Sequence, residues 1–228
     1  MQVSDCFVKP YQPGQELKNF PNIYTNLDKE FDYVYDMIPS FSHPPHSRLF
    51  VELGRKVVFK DIFYYIDMLY DNTPNTVIDV GCGLCTWKKW FPGIIGFDAE
   101  SSIPESLLDF EDYFDKGFSK VNEKKYDCGL AINSLHYCAW ELLPTNIHYA
   151  MNVVKDRFLF TVDFEAINSL PKDRTRLELI VDLFELLSTM PYNIIMFDSL
   201  AGRNLPAHID KWSSVNGMVR FILEHKHV

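Results

Sequence analysis

The clearest chemical pattern in this chain is Asp79 to Thr86, DVGCGLCT, and two chemistries compete for it. Cys82 and Cys85 have the C-x-x-C spacing of a thiol redox centre or of half a zinc site. Gly81 and Gly83 make a G-x-G turn, which lets a backbone bend sharply and expose N–H groups to a ligand. Asp79 precedes that turn, and Asp98 follows Gly83 by 15 residues. A carboxylate at a strand end can accept both hydroxyls of a ribose, so the glycine reading points to a nucleoside-containing cofactor. Further along stand Asn133, Ser134, His136 and Tyr137. His136 is the best candidate base there, because imidazole titrates near neutrality. The other role open to it is to cap its loop or hydrogen-bond backbone. His43 and His46, in HPPH, lack a helix and a nearby Cys or Asp, which is a weak metal pattern. They read as part of a lid or of an exposed proline-rich loop.

Alternating strands and helices must position these groups. Leu49, Leu53, Val57, Ile62, Ile66 and Leu69 recur at helical spacing from about Arg48 to Tyr70. TVIDV follows as a short buried strand, TWKKWFPG as a helical turn and IIGFD as a second buried strand. A very short third strand is expected near Leu107 to Asp109. YDCGLAIN and RFLFTVDF are strands, with WELLPTNIHYAMNVV helical between them. LPKDRTRLELIVDLFELLSTM is the strongest helix, with Glu178, Asp182 and Glu185 on one face. YNIIMFDSL and GMVRFILEHK close the chain as strands, the second after an Asn216–Gly217 turn signal. Such alternation implies a parallel sheet with helices on both faces, and the closing pair suggests an antiparallel edge. Ligands of these sheets bind beyond the carboxyl ends of the strands, where DVGCG falls.

A dinucleotide turn asks for a third glycine where this chain has Thr86, which argues against NAD or FAD. VIDVGCG instead resembles the first motif of class I S-adenosylmethionine-dependent methyltransferases, an acid-x-G-x-G-x-G. It matches at Asp79, Gly81 and Gly83 and departs at Cys85. IIGFDAE, YDCGLAINSLHY and RFLFTVDF resemble the family's second, fourth and fifth strands, and the closing strands resemble its sixth and its antiparallel seventh. The resemblance implies a three-layer α/β Rossmann-like methyltransferase fold over residues 47–228, with a mostly parallel sheet of about seven strands and an antiparallel last strand. Residues 1–46 form an N-terminal extension or lid. S-adenosyl-L-methionine is the implied cofactor. Asp79 would lie near its amino group, Gly81, Cys82 and Gly83 along its methionine moiety, and Asp98 on the ribose. Ala99 would touch the adenine, with Asp109 and Phe110 beside it. Asn133, His136 and Tyr137 would face the transferable methyl group. The loop lacks the N-P-P-Y pattern that amino-methylating enzymes of DNA and of protein glutamine use, so a small-molecule or other non-DNA acceptor is expected.

Composition narrows the partners. The 228 residues carry a formal charge of -9, with seven acids and no base from Asp98 to Asp115. Duplex phosphate would be repelled by that field, so nucleic acid is disfavoured. Five cysteines at irregular spacing fit free thiols in a reducing cytosol. No apolar run is long enough for a membrane span, and no export signal opens the chain. A zinc site at Cys82 and Cys85 would need two more ligands, and Cys128, His136 and Cys138 do not form a knuckle spacing. A competing expectation is a methyltransferase-like protein that binds the cofactor or a partner without turnover, because function belongs to sites rather than folds.

Overall fold

The computed structural model describes residues 17–21, 62–82, 86–97, 126–132, 134–136, 138–164, 167, 170–199 and 218–226. Helix α1, seen over residues 62–69, tightens into a 3-10 turn at Tyr70–Asn72. It leads into β1 (Val77–Val80), and β2 (Ile94–Phe97) follows a 3-10 turn at Thr86–Lys89. Then come β3 (Cys128–Ala131), α2 (Leu143–Asn152), β4 (Arg157–Asp163), α3 (Arg176–Thr189), β5 (Tyr192–Ser199) and β6 (Met218–His225). Pro144 falls in the first turn of α2, where its missing N–H costs no helical bond. At the start of α3, Thr175 Oγ1 accepts the Glu178 N–H and the Glu178 carboxylate accepts the Thr175 N–H, closing a capping box.

The six described strands form one sheet in the order β2-β1-β3-β4-β6-β5. β1 pairs in parallel with β2 and β3, and β3 with β4, while β6 runs antiparallel to both β4 and β5. The expected antiparallel last strand is therefore present, but it is not the edge. β6 inserts between β4 and β5 and leaves β5 outermost. Burial explains the placement. Val219, Arg220, Phe221, Ile222 and Leu223 are all buried, as a strand paired on both sides and covered on both faces must be. β5 keeps Asn193 exposed. The third strand expected near Leu107 to Asp109, the 46/47 boundary and the HPPH segment lie outside the described residues.

Side-chain alternation along the strands builds two cores. Ile78, Val80, Phe158, Phe160 and Val162 pack under α2 and α3 against Leu143, Ile147, Met151, Leu179, Leu183 and Leu187. On the other face Val77, Cys128, Leu130, Leu159, Met196 and Ile222 meet Ile62, Phe63, Ile66 and Leu69 of α1. Together these make three layers, helix on sheet on helix.

Part of the N-terminal extension docks on this frame. Leu17 is buried in the α1-side core, and Phe20 sits edge-on to Tyr70 and Phe91 at 4.9 and 5.3 Å. The N–H groups of Lys18 and Asn19 donate to the Asp67 carboxylate at 2.9 and 3.0 Å. Asp67 is buried, and burial raises its pKa against those backbone bonds. Residues 17–21 thus fasten to the last turns of α1, which lead into the amino end of β1. That is the end of the sheet opposite the glycine turn.

Candidate active site

The chain runs from β1 to β2 on one side of the sheet and then places β3 on the other side of β1. A switch of direction of this kind opens a crevice above the carboxyl ends of the two middle strands. The ladders end unevenly there. β1 pairs with β2 as far as Val80↔Phe97, but with β3 only as far as Asp79↔Leu130. Past Asp79 the two middle strands are no longer backbone-paired, and the glycine turn begins at that point.

Gly81 occupies the left-handed region at φ +73, which an L side chain rarely adopts. A Cβ built on it would lie 2.2 Å from Ser134 Cβ and 2.8 Å from Ser134 Oγ. Only glycine fits both the dihedral and the space. The N–H groups of Gly81 and Cys82 both donate to the Phe97 carbonyl, at 2.7 and 3.1 Å. This corrects the sequence expectation that the turn presents its amides to a ligand: at Gly81 and Cys82 the donors are spent on the end of β2. What Gly81 contributes is a sharp bend and room for the close approach of Ser134. The same bonds draw the turn towards the end of β2, the residue before Asp98. On the other side Ser134 Oγ donates to the Val80 carbonyl at 2.6 Å, supplying a bond that the β3 backbone no longer makes.

Asp79 is 1% exposed and lies on the α1 side of β1, two residues before the glycine. Cys82 is a buried thiol within the α1-side core, outside any disulfide. Burial pushes the Cys128 thiol up to about 11, and Cys138 Sγ donates to the Leu135 carbonyl at 3.4 Å. Among the described residues no group of three or more His, Cys, Asp or Glu side chains could hold a metal.

His136 makes a backbone hydrogen bond, one of the two roles that the sequence left open to it. It is 1% exposed, and the Asp163 N–H at the end of β4 donates to its Nδ1 at 3.2 Å. Burial lowers its pKa from 6.5 to about 4, against a backbone hydrogen bond to Thr161 that works the other way. The ring is neutral at pH 7, with one lone pair committed to β4. Its neighbours are held too: Leu135 is buried, and its carbonyl accepts from Asn146 Nδ2 of α2 at 3.4 Å. The segment after β3 is thus tied to β1, α2 and β4 in succession. Gly83, Asp98, Ala99, Asp109, Phe110, Asn133 and Tyr137 lie outside the described residues.

Sequence reasoning assigned no role to two features. Ser134 stood among the residues after the fourth strand, yet nothing in the sequence says that its hydroxyl meets β1. The second is a buried polar cluster near the carboxyl end of β5. Tyr65 Oη of α1 donates to Asp198 Oδ2 at 2.6 Å, and Arg220 Nη1 lies 3.6 Å from the same oxygen. The Arg220 guanidinium also stands 5.3 Å over the Tyr65 ring. The cluster joins α1 to the paired strands β5 and β6, so no local spacing announces it.

No family profile matches the chain, and no curated protein matches it. Solved structures do. The magnesium protoporphyrin IX methyltransferase of Synechocystis PCC 6803 with bound SAM is similar at TM-score 0.58 and 10% identity, covering 89% of this chain and 92% of that one. Its form with bound SAH is similar at TM-score 0.55 and 9% identity, over 89% and 95% of the two chains. The small RNA methyltransferase HEN1 is similar at TM-score 0.50 and 12% identity, over 75% of this chain and 25% of that one. The strand order, the antiparallel inserted strand and these likenesses agree: the chain has the fold of the class I S-adenosylmethionine-dependent methyltransferases.

Proposed function

We propose that this protein is a cytosolic S-adenosylmethionine-dependent methyltransferase acting on a small-molecule or protein acceptor. The observation that carries the proposal is the end of β1–β3 pairing at Asp79↔Leu130, followed by a glycine at φ +73 that tolerates no side chain. The sharp bend at Gly81 and the buried carboxylate of Asp79, two residues before it, stand at the carboxyl end of β1, where ligands of such sheets bind. In this reading Asp79, Gly81, Cys82 and Gly83 hold the methionine end of the cofactor. Asp98 takes the ribose, and Ala99, Asp109 and Phe110 flank the adenine. Asn133 and Tyr137 border the acceptor.

When bound, the cofactor supplies a methyl group on a sulfonium, whose displacement needs little beyond alignment of the acceptor and exclusion of water. The chain's part is therefore positioning. His136, neutral and tied to β4, holds the acceptor-side loop in place and is not assigned as the base. An acceptor atom that is already nucleophilic at neutral pH suits a site built this way. The net charge of -9 favours such an acceptor over duplex nucleic acid.

Calorimetric titration with S-adenosylhomocysteine tests the cofactor assignment, and no binding at millimolar ligand sinks it. Labelled cofactor incubated with cell extract then separates an enzyme from its rival, a methyltransferase-like protein without turnover. Label transfer that vanishes in Asp98→Ala supports the enzyme. Binding without transfer under any condition supports the rival.

A further inference from the structure

We infer that Ser134 is a positioning residue for the cofactor turn, locking its shape to the loop that faces the acceptor. This role rests on the cofactor reading above. The turn is gripped from two sides. On the β2 side the Phe97 carbonyl accepts the Gly81 and Cys82 N–H groups. On the β3 side the grip is a side chain: Ser134 Oγ donates to Val80 O at 2.6 Å, and Ser134 Cβ rests against the face where Gly81 has no side chain. Backbone pairing between the two strands has ended at Asp79↔Leu130, so the hydroxyl acts as the last rung of that ladder.

Ser134 is only the first tie in its segment. Its neighbour Leu135 is buried with its carbonyl bonded to Asn146, and His136 receives the Asp163 N–H. A displacement of the glycine turn must therefore be passed to a segment fixed to α2 and β4. A turn held in this way is shaped before the ligand arrives, and the ordering cost at binding is correspondingly small. Removing the hydroxyl loosens a place where β1 and the segment after β3 are joined by a side chain.

The test compares wild type with Ser134→Ala, Ser134→Cys and Ser134→Thr. Cysteine keeps the volume but donates weakly, whereas threonine keeps the hydroxyl. Amide hydrogen exchange of the unliganded protein is read first. The Gly81 and Cys82 amides are expected to exchange about tenfold faster in the alanine and cysteine variants, with β4 amides unchanged. S-adenosylhomocysteine affinity is read second. It is expected to weaken about tenfold in the same two variants and to recover in Ser134→Thr. A role confined to folding would lower the melting temperature without changing the affinity of the folded protein. Unchanged exchange and unchanged affinity in both variants, beside a wild type that binds, overturn the role of Ser134 alone. A wild type that fails to bind overturns the cofactor reading, and this role with it.

Discussion

Gly81→Ala tests the architecture of the turn most directly. The added methyl meets Ser134 Cβ at 2.2 Å, far inside contact, and Ser134 Oγ at 2.8 Å. Ser134 must retreat, and its bond to Val80 O is then lost. Three costs follow. Holding alanine at φ +73 costs roughly 1–2 kcal/mol. Crowding a packed contact costs roughly 1–3 kcal/mol. The lost hydrogen bond costs about 1 kcal/mol. The sum is about 4 kcal/mol, a large part of the stability of an ordinary domain. For a chain of 228 residues each kcal/mol moves the melting temperature by roughly 2–4 °C, so a fall of about 8–16 °C is expected by calorimetry or circular dichroism. The double variant Gly81→Ala/Ser134→Gly clears the collision but keeps the dihedral strain. A coupling of roughly 1–3 kcal/mol between the two sites is therefore expected. A melting point within about 3 °C of wild type for Gly81→Ala would refute the reasoning. So would strict additivity in the double variant.

Further expectations concern groups outside the turn. His136 has a folded pKa of about 4 against 6.5 unfolded, so its contribution to stability is complete above pH 6.5 and is lost as pH falls through about 4. Urea denaturation across that window should show a loss of ~3 kcal/mol that is absent in His136→Gln. A pH–rate profile is likewise expected to lack a titration near 6.5 that disappears with the imidazole. Asp198→Ala removes the carboxylate shared by Tyr65 and Arg220 and is expected to cost roughly 3–5 kcal/mol in chemical denaturation. Tyr65→Phe, losing one hydroxyl, should cost about 1 kcal/mol. Asp67→Ala removes the acceptor of the Lys18 and Asn19 N–H groups, and limited proteolysis should then cut residues 17–21 sooner, with α1 to β6 still folded. An unchanged cleavage rate would show that Leu17 and Phe20 hold the segment by themselves.

Local sequence determined the elements. Short apolar runs such as VIDV and IIGF can satisfy their burial only inside a parallel sheet, and the fully buried β1 bears this out. Glycine at 81 was legible because few other residues adopt its dihedral, and its place after a buried strand marked the carboxyl end of the sheet. Tertiary structure decided what each nearby group does. The sequence suggested that the Gly81–Gly83 turn exposes N–H groups, yet those of Gly81 and Cys82 donate to Phe97 of a neighbouring strand. His136 was open to two roles, and its backbone hydrogen bond depends on β4, whose Asp163 N–H reaches the ring from 27 residues away. Ser134, Tyr65, Asp198 and Arg220 carry no local signature at all, because their partners come from other strands and helices. Propensity and periodicity act over a few neighbouring residues. A proton's position or a buried ion pair depends on which segments of the folded chain come into contact.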